Sequence, residues 1–81
     1  MIWYEKLKTF DFNHVKNIAY RCRTNKKIAD ELNITLGQLI YIRYNNYLIN
    51  DKGIRELAVQ LALAIEEGIS QYKKDRLKED I

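Results

Sequence analysis

The chain has 81 residues, no proline, three glycines and one cysteine, and its net charge is +3. This length predicts one domain, and the lack of proline and glycine disfavours an all-β fold with its many turns. The lone Cys22 excludes an internal disulfide and is typical of a reduced, cytoplasmic protein, in which it packs as a small apolar residue. No apolar run is long enough to span a bilayer and the N-terminus is unlike a secretory signal, so we expect no membrane partner.

Aromatic side chains are frequent in the first twelve residues, which we expect to form a short arm or a turn of helix against the core. A first helix follows, capped by Asp11 or Asn13 and ending near Arg23. Its apolar residues recur at the spacing of one amphipathic face: Val15, Ile18, Ala19 and Cys22.

Residues 24–44, TNKKIADELNITLGQLIYIRY, predict two short helices joined by a tight turn. Thr24 and Thr35 are placed to cap the two helices, and Gln38 follows Thr35 at the spacing of a capping box. Asn33 falls in the turn, where it tolerates a left-handed backbone. The apolar residues have the spacing of two crossed helices that share a small core: Ile28, Ala29, Leu32, Ile34, Leu39 and Ile42.

This stretch resembles the helix-turn-helix of DNA-binding domains, particularly the compact three-helix kind in phage and bacterial regulators and in promoter-reading sigma-factor domains. It differs from that pattern at Asn33, where Gly is common. The resemblance implies a small transcriptional regulator, of the type found in phages and mobile elements, that binds double-stranded DNA. A plain helical hairpin without nucleic acid has the same apolar spacing and is the alternative.

The second helix of this pair, over about 36–45, is the candidate reading helix. With Leu39 and Ile42 directed inward, a step of about 100° per residue directs the opposite face outward. We expect that outward face to carry Gly37, Tyr41, Tyr44 and Leu48.

Thr35 and Gln38 lie near the N-terminus of the reading helix, which approaches base edges in such domains. Gln38 can make a bidentate contact with adenine, and Thr35 can bond a base or a phosphate. We expect Lys26, Lys27 and Arg43 to contact the flanking phosphates.

The outward face has no arginine to read guanine and is unusually apolar for a DNA reader. Exposed Tyr, Ile and Leu side chains are also typical anchors of protein interfaces. The alternative function is therefore a protein-interaction module on a helix-turn-helix scaffold, such as an inhibitor or adaptor of the transcription machinery.

The segment 45–51 reads as a break that contains an extended stretch or one further helical turn. A last helix over about 52–79 follows, with one apolar stripe for the core. Val59 and Leu63 lie on a different side of it, so we expect them to form a homodimer interface. The alternative is a monomer in which the N-terminal arm covers them.

Charge is distributed unevenly: residues 1–55 carry ten Lys or Arg against five Asp or Glu, and residues 56–81 carry four against six. The basic surplus coincides with the motif, which favours a phosphate-bearing partner. His14 is the only histidine and has no metal-ligand spacing to a cysteine, and adjacent Glu66 and Glu67 diverge around a helix. We expect no enzyme activity, metal or cofactor.

Together these observations predict an all-α fold over residues 1–81. It consists of a three-helix core that contains the helix-turn-helix, plus a long C-terminal helix that serves both the core and the dimer.

Overall fold

A computed structural model describes residues 3–79 of the chain, which form helices and no strands. The predicted all-α fold is confirmed. The α-helices are α1 (Phe12–Cys22), α2 (Asn25–Leu32), α3 (Leu36–Tyr44) and α4 (Lys52–Glu79), and two short 3₁₀-helices cover Trp3–Thr9 and Asn46–Leu48.

The first two α-helices have the capping residues that the sequence indicates. The Asp11 carboxylate accepts a hydrogen bond from the backbone N–H of Asn13 at 2.9 Å, and the Thr24 hydroxyl accepts one from Lys27 at 3.4 Å. Asn33 ends α2 with φ 62°, the left-handed conformation expected of it. Arg23 ends α1 in a similar conformation, with φ 67°, which the sequence does not indicate because arginine rarely adopts it.

α1 packs along α4 with very close backbones at Gly68. A Cβ atom at position 68 would lie 2.3 Å from the carbonyl oxygen of Lys16 and 2.8 Å from the Cβ of Ala19. Only glycine permits this approach, a role for Gly68 that the sequence does not indicate. Around the contact, Val15 and Ile65 are fully buried, so the two helices share a dry apolar core.

The N-terminal arm, Trp3–Thr9, closes one side of the core, as the sequence predicts. Leu7 is its buried anchor, with 1% of its surface exposed. The Lys6 ammonium donates a hydrogen bond to the carbonyl oxygen of Asn33 at 2.8 Å, so the arm also satisfies a carbonyl at the turn between α2 and α3.

The break between α3 and α4 is a single 3₁₀ turn followed by Ile49, which is buried in the core. The Arg55 guanidinium donates to the Ile49 carbonyl at 3.0 Å, and the Asp51 carboxylate accepts from the backbone N–H of Ile54 at 3.1 Å. These bonds fix the chain reversal from which α4 begins.

Candidate nucleic-acid interface

The beginning of α3 is held by a complete capping box. The Thr35 hydroxyl accepts from the backbone N–H of Gln38 at 3.0 Å, and the Gln38 amide oxygen accepts from the backbone N–H of Thr35 at 2.9 Å. Gln38 is half-buried. A bidentate contact with adenine would therefore require this amide oxygen to accept a second hydrogen bond or to leave the cap.

An apolar strip runs along the outward face of α3. Leu36, Ile40 and Tyr44, spaced four residues apart, are 43%, 37% and 55% exposed. We call these three residues the α3 strip. Gly37 lies beside them, and the nearest atom to a Cβ placed there would be 4.0 Å away, so the helix is open to close approach at this point.

The four-residue spacing of Leu36, Ile40 and Tyr44 indicates this strip in the sequence, although Leu36 is not among the expected contact residues. Leu48, which we expected to face outward, is 53% exposed, and Tyr47 beside it is 68% exposed. The apolar surface of α3 thus continues into the 3₁₀ turn that follows.

Tyr41 is not on the exposed face, which corrects the sequence-based expectation. It is half-buried against the core, and its ring meets the edge of Trp3 with centroids 5.8 Å apart. Tyr41 directly precedes the buried Ile42 in α3, so the helical period places it at the edge of the core. The N-terminal arm covers it there through Trp3. The periodicity of α3 alone contains no information about that arm.

Arg43 is also placed differently from the expectation. Its side chain is only 8% exposed, it forms an ion pair with Glu66 of α4, and it donates a hydrogen bond to the Asn25 side chain of α2. The buried Nε atom has no hydrogen-bond partner among the described residues. In this conformation Arg43 joins α2, α3 and α4, and it is not available to a phosphate.

Lys26 and Lys27 are placed in the first turn of α2, where a phosphate contact requires cations, and Lys26 is 78% exposed at its side chain. Lys26 lies 3.9 Å from Asp30, but both side chains are well solvated, so this ion pair is weak. The N-terminus of α2 lies in the same region and adds a partial positive charge.

Val59 and Leu63 lie off the core stripe of α4, as the sequence predicts, and are 40% and 57% exposed. The arm Trp3–Thr9 leaves both uncovered, which removes the alternative that this arm shields them. The structure therefore contains an apolar surface on α4 in addition to the α3 strip.

Neither a metal centre nor a membrane helix is apparent within residues 3–79. The His, Cys, Asp and Glu side chains of this part do not form a group of three that could hold a metal ion. None of its helices combines the length and apolar character needed to cross a membrane.

Compared with models of known protein families, with curated proteins and with solved structures, the chain gives no significant match.

Proposed function

We propose that the protein binds double-stranded DNA sequence-specifically, as a small cytoplasmic transcriptional regulator that acts as a homodimer. In this proposal α3 enters the major groove, and Lys26 and Lys27 bond the flanking phosphates. The observation that supports it most is the helix pair α2–α3. Asn33 turns the chain, the capping box orders the start of α3, and the outer face of α3 is left uncovered.

The location of the cations adds support. Lys26 and Lys27 begin the helix that precedes α3, where such domains cross the phosphate backbone. Arg43 takes no part in the proposal, because Glu66 and Asn25 already hold its guanidinium. Base contacts are left to Thr35, Gln38 and the apolar α3 strip, whose side chains can meet thymine methyl groups.

The salt dependence of binding to duplex DNA tests the electrostatic part. The double variant Lys26→Ala, Lys27→Ala should weaken binding to all sequences and reduce the salt slope by roughly one for each phosphate that is no longer neutralised. Arg76→Ala with Lys78→Ala is the matched control, since it removes the same charge at the far end of α4. Equal slopes for the two double variants would remove Lys26 and Lys27 from the interface.

Selection from a randomised duplex library tests the sequence-specific part. If the wild-type chain selects a site, Gln38→Ala should lose about 1–3 kcal/mol of discrimination at one base pair and little elsewhere. Recovery of sequences without any shared motif would contradict sequence-specific reading.

A second candidate, a protein-interaction module, is favoured by the apolar α3 strip and the absence of an available arginine on it. Ile40→Lys separates the two functions, because Ile40 is exposed and the change should leave the fold intact. An added cation should strengthen sequence-independent retention on DNA at low salt, even though the proposed contact of Ile40 with the bases is lost. The same cation would abolish docking of an apolar protein surface on the strip.

A further inference from the structure

The face of α4 opposite the core carries a repeated apolar pattern. Leu63 and Leu77 are 57% and 66% exposed, and each is seven residues, or two helical turns, from Ser70. Val59 extends the same line towards the N-terminus of the helix. The small Ser70 thus lies midway between two exposed leucines on a helix of 28 residues.

Charges beside this line are segregated by sign. Glu66 and Glu67 precede Ser70, whereas Lys73 and Lys74 follow it. Glu67 has only a distant partner, Lys16 at 3.8 Å, and both of these side chains are exposed. Within the described part of the chain, neither Lys73 nor Lys74 has an ion-pair partner. Glu66 is already held by Arg43, so the charges open to an outside partner are Glu67, which precedes Ser70 and is only weakly paired, and Lys74, which follows it.

We propose that α4 pairs antiparallel with α4 of a second copy, about a two-fold axis at Ser70. The inference rests on the homodimer of the proposed function, but not on DNA binding. Antiparallel pairing places Leu63 beside Leu77 of the second copy, and Glu67 beside Lys74 of the second copy, twice per dimer. Parallel pairing would instead place like charges together, which is unfavourable.

The shape of the outer face fits this occupant. A groove of about 520 Å³ lies between α1 and α4, and Leu63 is its one apolar lining residue; the others are polar or charged: Lys16, Glu66, Glu67, Ser70, Gln71 and Lys74. In the antiparallel arrangement, Leu77 of the second copy enters this groove next to Leu63. Ser70 allows the two helices to approach closely at the axis, because the distance between packed helices depends on the side chains at the contact.

Disulfide crosslinking of the full chain in a Cys22→Ser background tests the register. The two-fold axis places the two position-70 Cα atoms within roughly 4.4–6.8 Å, so Ser70→Cys should crosslink to itself. The two copies of position 63 would be about 21 Å apart along the helices, so Leu63→Cys alone should not crosslink. A mixture of Leu63→Cys and Leu77→Cys chains should form the crosslinked heterodimer.

A charge reversal provides a test that keeps every apolar contact. Glu67→Lys and Lys74→Glu should each weaken dimerisation about tenfold in sedimentation equilibrium, because two attractive pairs become repulsive. The two changes in one chain should restore the wild-type dissociation constant, since the pairs re-form with opposite sign. Equal weakening by single and double variants would overturn the proposed pairing.

The remaining outcomes are also decisive. Self-crosslinking of Leu63→Cys would show a parallel pair, and a wild-type chain that stays monomeric at tens of micromolar would show no pair; either overturns the inference. A crosslinked Ser70→Cys dimer that is not retained on DNA would support the inference while removing the proposed DNA binding. Retention of a monomeric chain on DNA would support DNA binding while overturning the pairing through α4.

Discussion

α1 and α3 both pack on α4, but different chemistry holds them there. α1 meets α4 backbone to backbone at Gly68. Because the atoms in contact belong largely to the backbone, they cannot rotate away to make room for an added side chain. The contact that joins α3 to α4 includes the Arg43 guanidinium, with Glu66 on one side and Asn25 on the other.

This difference separates two ways of orienting a helix. The contact at Gly68 sets a distance through hard-core repulsion, so any added atom displaces α1. The contact at Arg43 orients α3 through hydrogen bonds. One of the acceptors, Glu66, is largely exposed, so water can take its place. The candidate reading helix is thus positioned by the more adaptable of the two contacts.

The largest effect is expected at the backbone contact. Gly68→Ala should lower the free energy of unfolding by about 3 kcal/mol, because its Cβ would overlap the Lys16 carbonyl oxygen. Gly37→Ala is the control: it has open space and should gain about 0.5–1 kcal/mol from helix propensity. Urea unfolding measures both, and equal stability of the two variants would contradict the close approach.

Removal of the guanidinium should have the next largest effect. Arg43→Met keeps the apolar stem but removes the bonds to Asn25 and Glu66, so we expect a decrease in stability of about 1–3 kcal/mol. Glu66→Gln should cost less than about 1 kcal/mol, because that side chain is largely exposed. Chemical unfolding of both variants provides the measurement. A variant Arg43→Met as stable as the wild type would mean that the free-energy cost of burying the guanidinium cancels the stabilisation from its hydrogen bonds.

A smaller effect is expected where the N-terminal arm meets α3. Tyr41→Ala should cost about 1–2 kcal/mol, because it removes the contact with Trp3 and part of the core. Tyr47→Ala, at a position 68% exposed, should change stability by less than about 0.5 kcal/mol. If thermal unfolding shows the two variants to be alike, Tyr41 belongs to the exposed face after all.

The smallest effect concerns pH and the C-terminal part of α4. The Tyr20 hydroxyl donates to Asp75 at 2.7 Å, and this bond, with a second from Gln71, lowers the pKa of Asp75 below its ordinary 3.8. A lowered folded-state pKa contributes stability that is present above the unfolded-state pKa and is lost as pH falls through the folded-state value.

Tyr20→Phe should therefore be less stable than the wild type near neutral pH, and the difference should shrink as the solution is acidified below about pH 4. Thermal unfolding measured across that range provides the comparison. A difference that stays constant down to about pH 2 would show that the hydroxyl acts independently of the Asp75 charge.

The regular parts of the fold could be predicted because local rules determine them. Asp11, Thr24 and Thr35 cap helices within their own turns, and Asn33 adopts a left-handed backbone as an isolated residue can. Helix bounds and the outward position of Val59 and Leu63 follow from such rules together with the helical period.

What could not be predicted depends on residues far apart in the chain. Gly68 has a role only because α1 lies against it, and Tyr41 is covered only because Trp3 folds back over α3. Arg43 faces a carboxylate that comes 23 residues later. Of the expected DNA-contacting residues, Lys26 and Gly37 are accessible as expected, whereas Tyr41 is half-buried and Arg43 is held by Glu66.

The contact at Gly68 also has a kinetic consequence. It joins Ala19 to a residue about 50 positions later, and both α2 and α3 lie within the loop that this contact closes. Forming it costs loop-closure entropy before any packing energy is recovered, so this long-range step should slow folding more than helix formation does. Crosslinking α1 to α4 near this point should accelerate folding, because the most distant parts of the core would begin side by side.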